Sequence, residues 1–324
     1  VKYRELGKTG MNISEIGFGA WAIGGSWGPQ NEKDSVEALH KALDLGVNFI
    51  DTAAGYGNGK SEQIIAGVLK DRSEKIYIAT KTPPADGPWP PSPYCKMEER
   101  YPEAYLRKNI ETRLKNLNTD CLDLLQLHTW TRAWNKNPQP FFILQKLKQE
   151  GKIRNIGVST PDHDQNAVID LMRGGFVDVV QVIYNIFEQE PAAALLAEAL
   201  ELNVGVIVRV AFDEGVLTGK YNEKSHFAEK DFRRKYFAGD RLKRAVVRVK
   251  KIESDIHGFG YTMPQVALKF PLMHPAVNTV IAGIRNVTQA TENAAVSGLQ
   301  DLPQNLLIKL RNHAWNRGLW YGGK

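Results

Sequence analysis

The sequence predicts an α/β fold: a (β/α)8 TIM barrel with an N-terminal β-hairpin and extra C-terminal helices, built as one domain over residues 1–324. Three observations carry this expectation. Short apolar runs rich in β-branched residues alternate with segments of helical period, eight times, at about 40 residues per unit. The strand runs are nearly continuous in apolar residues rather than alternating, as a parallel sheet covered on both faces requires. No linker rich in Ser, Gly or Pro divides the chain.

Residues 3–14 read as a short hairpin turning at 7–10. Strands are expected at 16–21, 47–51, 76–80, 122–127, 153–159, 177–182, 204–210 and 279–282. The helices that follow them are expected at 32–45, 61–70, 102–116, 140–149, 162–172, 191–202, 241–256 and 288–297. Further helices are read at 263–272 and 303–315. An open doubly wound sheet is the competing arrangement, and it usually opens with a Gly-rich phosphate turn. Here the first strand runs into Trp21-Ala22-Ile23-Gly24-Gly25, which does not fit G-x-G-x-x-G. The Pro-rich stretch 83–93 lies between the third strand and its helix. In a barrel that is a βα loop on the catalytic face.

Composition removes several function classes. Hydrophobic residues make up 43% of the chain, too many for disorder. No apolar run approaches the ~18–20 residues of a membrane helix. The start, Val1-Lys2-Tyr3-Arg4-Glu5, has no apolar signal core, so a secretory signal is expected to be absent or removed. Two cysteines, Cys95 and Cys121, make neither a disulfide framework nor a Cys-rich zinc site, and a cytoplasmic location is expected. The net charge of +6 is too mild for a nucleic-acid partner. Residues 220–251 hold twelve basic and four acidic side chains, so the rest of the chain is net negative. Part of that segment is expected to draw an anion toward the barrel mouth, and most of it to be a solvated helix face.

Polar groups at the C-terminal ends of barrel strands point into the active site. Read in order, those ends give Asp51 with Tyr56 in the next loop, then Lys81, then His128. An acid, a phenol, an amine and an imidazole facing one pocket suit proton delivery to a carbonyl. A neighbouring Lys⁺ lowers a phenol's pKa from near ~10. A carboxylate holds that lysine charged and oriented. The imidazole donates to the substrate oxygen. The donors are mixed and no second His stands at ligand spacing, so no metal is expected.

These residues stand in motifs that resemble the aldo-keto reductase superfamily along the whole chain. The motifs are Gly46-Val-Asn-Phe-Ile-Asp51-Thr-Ala-Ala-Gly-Tyr56-Gly, Ala79-Thr-Lys81, Asp120-Cys-Leu-Asp-Leu-Leu-Gln-Leu-His128, Gly151-Lys-Ile-Arg-Asn-Ile-Gly-Val-Ser159 and Gln181-Val-Ile-Tyr-Asn185. Within the superfamily the chain looks like the bacterial branch near the potassium-channel β subunits. The resemblance implies a tetrad of Asp51, Tyr56, Lys81 and His128, with Tyr56 as general acid, and a nicotinamide cofactor across the barrel mouth. It places Ser159 and Gln181 on the nicotinamide carboxamide, with Asn185 close by. The run Leu217-Thr-Gly219-Lys220-Tyr221 resembles the loop over the pyrophosphate. The run from Gly283 through Arg285, Gln289 and Glu292 to Asn293 resembles the adenosine clamp. Arg285 adds a planar fork for a 2′-phosphate, which points to NADP(H). Two positions depart from the pattern. Gln289 stands where other branches carry Arg, and Arg209 where many carry an aromatic that stacks on the nicotinamide. A cation there is expected to disfavour the oxidised cofactor.

The implied activity is NADPH-dependent reduction of an aldehyde, ketone or keto-sugar to an alcohol, on a small-molecule substrate. Two other classes stand beside it: a cofactor-binding regulatory subunit with little turnover, and a P-loop-like nucleotide-binding protein. The second rests on Ala54-Gly-Tyr-Gly-Asn-Gly59-Lys60-Ser61, which lacks the first Gly of that pattern. Trp21, Trp27, Trp89 and Trp130 either line an apolar substrate pocket or pack loops on its rim, and Trp89 and Tyr94 are expected to shape specificity. The tail residues Trp315, Trp320 and Tyr321 either cover the mouth or pack on the barrel side. Asp162-His163-Asp164 reads as a capped helix start rather than a metal site.

Overall fold

The structure is a computed structural model that describes residues 1–25 and 27–315. The chain begins with an antiparallel hairpin of β1 (Tyr3–Glu5) and β2 (Asn12–Ser14), with Tyr3 opposite Ser14. Eight strands then close a parallel barrel. They are β3 (Ile16–Gly19), β4 (Phe49–Asp51), β5 (Tyr77–Thr82), β6 (Leu122–Leu127), β7 (Ile153–Ser159), β8 (Val179–Ile183), β9 (Gly205–Arg209) and β10 (Thr279–Gly283). Neighbours pair in chain order, and β10 closes onto β3 with Val280 beside Ile16.

Strand period 2 sorts each strand into inward and outward residues. The inward set stacks in layers. Phe49, Tyr77, Ala79, Leu124, Val179, Ile207 and Ile281 form one buried cluster with Leu6, Met11 and Ile13 of the hairpin. The hairpin therefore plugs the lower end of the barrel. Its turn passes so close to β9 that a Cβ on Gly7, at φ +51, would lie 2.3 Å from the Gly205 nitrogen. Only glycine fits there. Two residues further along the same inward columns come Asp51, Lys81, Gln126, Gln181 and Arg209. The polar site is thus the top layer of the apolar barrel core.

The helices are α1 (Glu32–Asp44), α2 (Lys60–Leu69), α3 (Met97–Arg100), α4 (Glu103–Leu117), α5 (Gln139–Gln149), α6 (Ile169–Arg173), α7 (Leu195–Glu201), α8 (Phe232–Tyr236), α9 (Arg241–Ile256), α10 (Met263–Leu272), α11 (Val287–Ala295) and α12 (Gln304–Arg311). Their apolar faces pack on the outward strand residues in a second, larger core. Sharp starts follow capping chemistry. Asn31 accepts from the Lys33 N–H before α1, and Thr262 with Gln265 forms a capping box on α10.

Three expected helices are shorter than their periodicity suggests, and of the 303–315 segment only Gln304–Arg311 is helical. The 162–172 segment becomes a 3-10 turn, Gln165–Val168, followed by α6. Asp162 and Asp164 do not cap it: they pair with Arg209 and Arg132. The 191–202 segment splits into a 3-10 turn, Glu190–Ala193, and α7. Helices α3 and α8 lie in long βα loops and are additions to the sequence reading. Among the described residues no helix is long and apolar enough to cross a membrane.

Candidate active site

Lys81 is the hub of the barrel mouth. Its ammonium is buried and donates to Asp51 Oδ1, to the Thr52 carbonyl at 2.9 Å and to Tyr56 Oη at 3.3 Å. Burial alone would lower the lysine pKa, but Asp51 and Tyr56 outweigh it, so the ammonium is held charged. The other carboxylate oxygen of Asp51 accepts from Gln181 at 2.7 Å and from Gln126 at 3.2 Å. Every strong direction around Asp51 is filled, as a buried charge requires. Gln126 is absent from the residues read off the sequence. Its signal was available: it precedes His128 by two on the same inward face.

Tyr56 reaches the hub from the loop after β4. Two close approaches set its backbone. Gly24 lies so near that a Cβ would meet Tyr56 C at 2.6 Å, and Gly57 takes φ +63. The loop glycines therefore place the phenol. The net pKa of Tyr56 runs opposite to expectation. Burial raises it most, Lys81 pulls it back, Asp51 raises it again, and the result stays above 10.0. The phenol keeps its proton through neutral pH. Because its oxygen accepts from Lys81, its own O–H remains to donate outward.

His128 sits 6.0 Å from Tyr56, centroid to centroid, at 74°. Burial, then the charges of Lys81 and Arg209, hold its pKa well below 6.5. It is a neutral imidazole, a hydrogen-bond donor without positive charge. Phenol and imidazole face one space.

The aromatic wall is partly as expected. Trp21 lies 6.3 Å from Tyr56 and 5.7 Å from Trp27, and Trp89 lies 5.3 Å from His128 while 53% exposed. Trp130 is not a pocket residue. It is 0% exposed, its N–H goes to Asn135 at 2.7 Å, and its ring packs on Trp134 and Phe141. Position 130 shares the 128 parity, but the His128 N–H still pairs with the Thr82 carbonyl of β5 at 2.9 Å, whereas by 130 the chain has left the strand. Tyr94 is 94% exposed and forms no part of the wall. Phe232 of α8, unforeseen in the sequence, packs 5.3 Å from Trp21 and extends the wall. Trp315 packs on Phe187 and on Arg248, on the barrel side; Trp320 and Tyr321 lie outside the described residues.

The positions assigned to a cofactor lie in β7, β8 and β9, in the loop after β9, and from the end of β10 into α11. Ser159 ends β7 as the register partner of Gln181 in β8, and Arg209 ends β9 beside Ile183, the last residue of β8. Asn185 is fully engaged by backbone: it donates to the Val210 carbonyl and accepts from Phe187 and Glu188. Leu217 is buried in the core, so only its backbone borders the other assigned positions, whereas Gly219 is a left-handed turn. Lys220, Arg233 and Arg285 bear on one another. The lysine pKa is lowered by partial burial and then by the two guanidiniums. Arg233 stacks 4.5 Å over Trp27, grips Asp231 and donates to Tyr221. Arg285 donates to Gln30 and the Pro29 carbonyl, and Gln289 accepts from its N–H. Gly283 and Glu292 are exposed, while Asn293 is buried on α11.

A nicotinamide dinucleotide fits this donor set. The buried Arg209 Nε, at the end of β9, and Asn293 Nδ2, on α11, have no protein partner, and Lys220, Arg233 and Arg285 form a group of mutually repelling cations. The P-loop-like run has a different use. Lys60 pairs with Glu32 at 3.1 Å on the outer surface, and the Ser61 hydroxyl is buried against Thr52. Among the described residues no cluster suits a metal ion.

The family model described as "Aldo/keto reductase family" matches residues 15–311. The aldo-keto reductase YhdN of Bacillus subtilis is 30% identical over 305 residues, 92% of this chain and 89% of that protein. The aldo-keto reductase yakc [NADP(+)] of Schizosaccharomyces pombe is 29% identical over 299 residues, 90% and 85% of the two chains. A solved glycerol dehydrogenase from Gluconobacter oxydans superposes with TM-score 0.78 at 26% identity, covering 96% and 94% of the two chains.

Proposed function

We propose, for a chain that belongs to the aldo/keto reductase family, a working site of Asp51, Tyr56, Lys81 and His128 in one domain spanning residues 1–324. The protein is an NADP-dependent oxidoreductase that reduces the carbonyl group of a small molecule to an alcohol. The observation that carries the site assignment is the buried lysine that joins the Asp51 carboxylate to the Tyr56 phenol oxygen.

Bound NADPH supplies the hydride. Tyr56 donates its proton to the carbonyl oxygen as negative charge develops there. Lys81 stabilises the resulting phenolate, and Asp51 keeps Lys81 charged and in place. Neutral His128 donates a second hydrogen bond and orients the carbonyl without trapping the alkoxide as an ion pair. Ser159, Gln181 and Arg209 would hold the nicotinamide end; Gly219 and Lys220 would border the pyrophosphate; Gly283, Arg285, Gln289, Glu292 and Asn293 would hold the adenosine end. The cation group at Lys220, Arg233 and Arg285 favours NADP(H) over NAD(H). Trp21, Trp27, Trp89 and Phe232 form an aromatic substrate wall that suits an aldehyde, a ketone or a keto-sugar. The similarity to a glycerol dehydrogenase supports a hydroxylated substrate. The finer placement near the potassium-channel β subunits rests on the sequence motifs alone, and a cytoplasmic location on two free cysteines.

The test is NADPH fluorescence on titration, then turnover with a carbonyl panel for wild type and Tyr56→Phe. The expected result is tight NADPH binding in both and at least ~10²-fold slower turnover in the variant. Equal turnover overturns the mechanism, and no NADPH binding overturns the function.

A further inference from the structure

Arg209 and Asp162 form an ion pair at the barrel mouth. Arg209 Nη2 donates to Asp162 Oδ1 at 2.5 Å and to the Thr160 carbonyl at 2.9 Å. Both side chains are about one-fifth exposed. Thr160 follows Ser159 directly, so the guanidinium ties the end of β9 to the end of β7 across Gln181 on β8. It therefore stands behind the three strand ends that hold the nicotinamide in the proposed function, on which this inference rests. Its field reaches the chemistry from there: the charges bearing on Tyr56 are Lys81, Asp51 and Arg209, and those on His128 are Lys81 and Arg209. Lys81 is answered by Asp51. Arg209 is answered by Asp162.

We propose that Asp162 is a positioning residue for the reaction: it holds Arg209 on the nicotinamide shelf and offsets its charge, so that oxidised and reduced cofactor are both retained. The oxidised nicotinamide ring is a cation and the reduced ring is neutral. A bare guanidinium beside them repels only the first. Neutralised by Asp162, the same guanidinium leaves a planar surface without that bias. The pair thereby takes over a position for which the sequence alone predicted a penalty on the oxidised form.

The experiment measures dissociation constants for NADP⁺ and NADPH on the full chain. Asp162→Asn is expected to raise the ratio of the NADP⁺ constant to the NADPH constant by on the order of tenfold. Arg209→Met is expected to lower it below wild type, because the guanidinium is removed while the Asp162 carboxylate stays. Asp162→Glu, which keeps the charge, is expected to restore the wild-type ratio and serves if the Asn variant folds poorly. The double variant Arg209→Met/Asp162→Asn, with both charges gone, is expected to return the ratio to within about twofold of wild type. Loss of affinity for both forms in parallel, with the ratio unchanged, makes Asp162 a mere loop anchor and overturns the inference. A double variant whose ratio stays as far above wild type as that of Asp162→Asn alone overturns it too. A wild type that binds neither form overturns the proposed function instead.

Discussion

Gln181 donates its amide to Oδ2 of Asp51 at 2.7 Å, while Oδ1 of the same carboxylate takes Lys81. A residue assigned to the cofactor is thus joined to the proton-transfer group through one carboxylate. The site is a single buried network, and its parts respond together.

The phenol is protonated at rest. Tyr56 stands above 10.0 because burial outweighs Lys81. Carbonyl reduction uses the phenol and is expected to stay level through neutral pH, falling only on the alkaline side of ~10. Alcohol oxidation uses the phenolate and is expected to rise with pH over the same range. The kcat/KM profiles of both directions check this, and a break near pH 7 in reduction contradicts it.

His128 couples stability to acid. Its folded pKa lies well below 6.5, from burial first and then Lys81 and Arg209. The folded state therefore holds fewer protons than the unfolded chain. The stability from this group is full above ~6.5 and is lost as pH falls from there toward the folded value. Urea titrations between pH 7 and 5 are expected to show that slope, and His128→Asn to flatten it.

Gly24 is a distant determinant of Tyr56. A Cβ there would stand 2.6 Å from Tyr56 C and 2.8 Å from Gly57 N, both backbone atoms. Gly24→Ala is expected to displace the phenol and lower kcat by ~10²-fold, with NADPH affinity kept. Unchanged kcat would show that the loop absorbs the methyl.

Behind β5 lies a second buried ion pair. Glu62 on α2 accepts from Arg113 on α4 at 2.7 Å and from Thr80 at 2.7 Å, and Thr82 donates to Asn109. Thr80 and Thr82 flank Lys81, so the outer face of its strand is anchored here. Arg113→Met leaves Glu62 buried without its cation, at a cost of ~3–5 kcal/mol. The midpoint of urea unfolding reads that loss, and an unchanged midpoint refutes it.

Two tryptophans separate packing from recognition. Trp130 is 0% exposed and Trp89 is 53% exposed beside His128. Trp130→Ala is expected to cost ~3–5 kcal/mol of stability. Trp89→Ala is expected to raise KM for carbonyl substrates at near-unchanged stability. Steady-state kinetics and thermal melts on both variants check the contrast.

The sequence by itself determined the barrel, because eight buried parallel strands need eight near-continuous apolar runs, and those are visible without any coordinates. It also marked Asp51, Lys81 and His128 at successive strand ends, since strand period 2 fixes which side chains face inward, with Tyr56 in the loop that follows Asp51. Short helices were harder to read: 162–172 has helical period, yet Asp162 and Asp164 are engaged by Arg209 and Arg132 instead of capping it. Only the tertiary structure decided the direction of the Tyr56 shift, because that is a contest between burial and one neighbouring charge. Only the tertiary structure separated Trp130 from Trp89, and joined Asp162 to Arg209, 47 residues apart. Periodicity reports which way a side chain faces along its own strand. Which charge answers it, and how much water it keeps, depends on loops arriving from elsewhere in the chain.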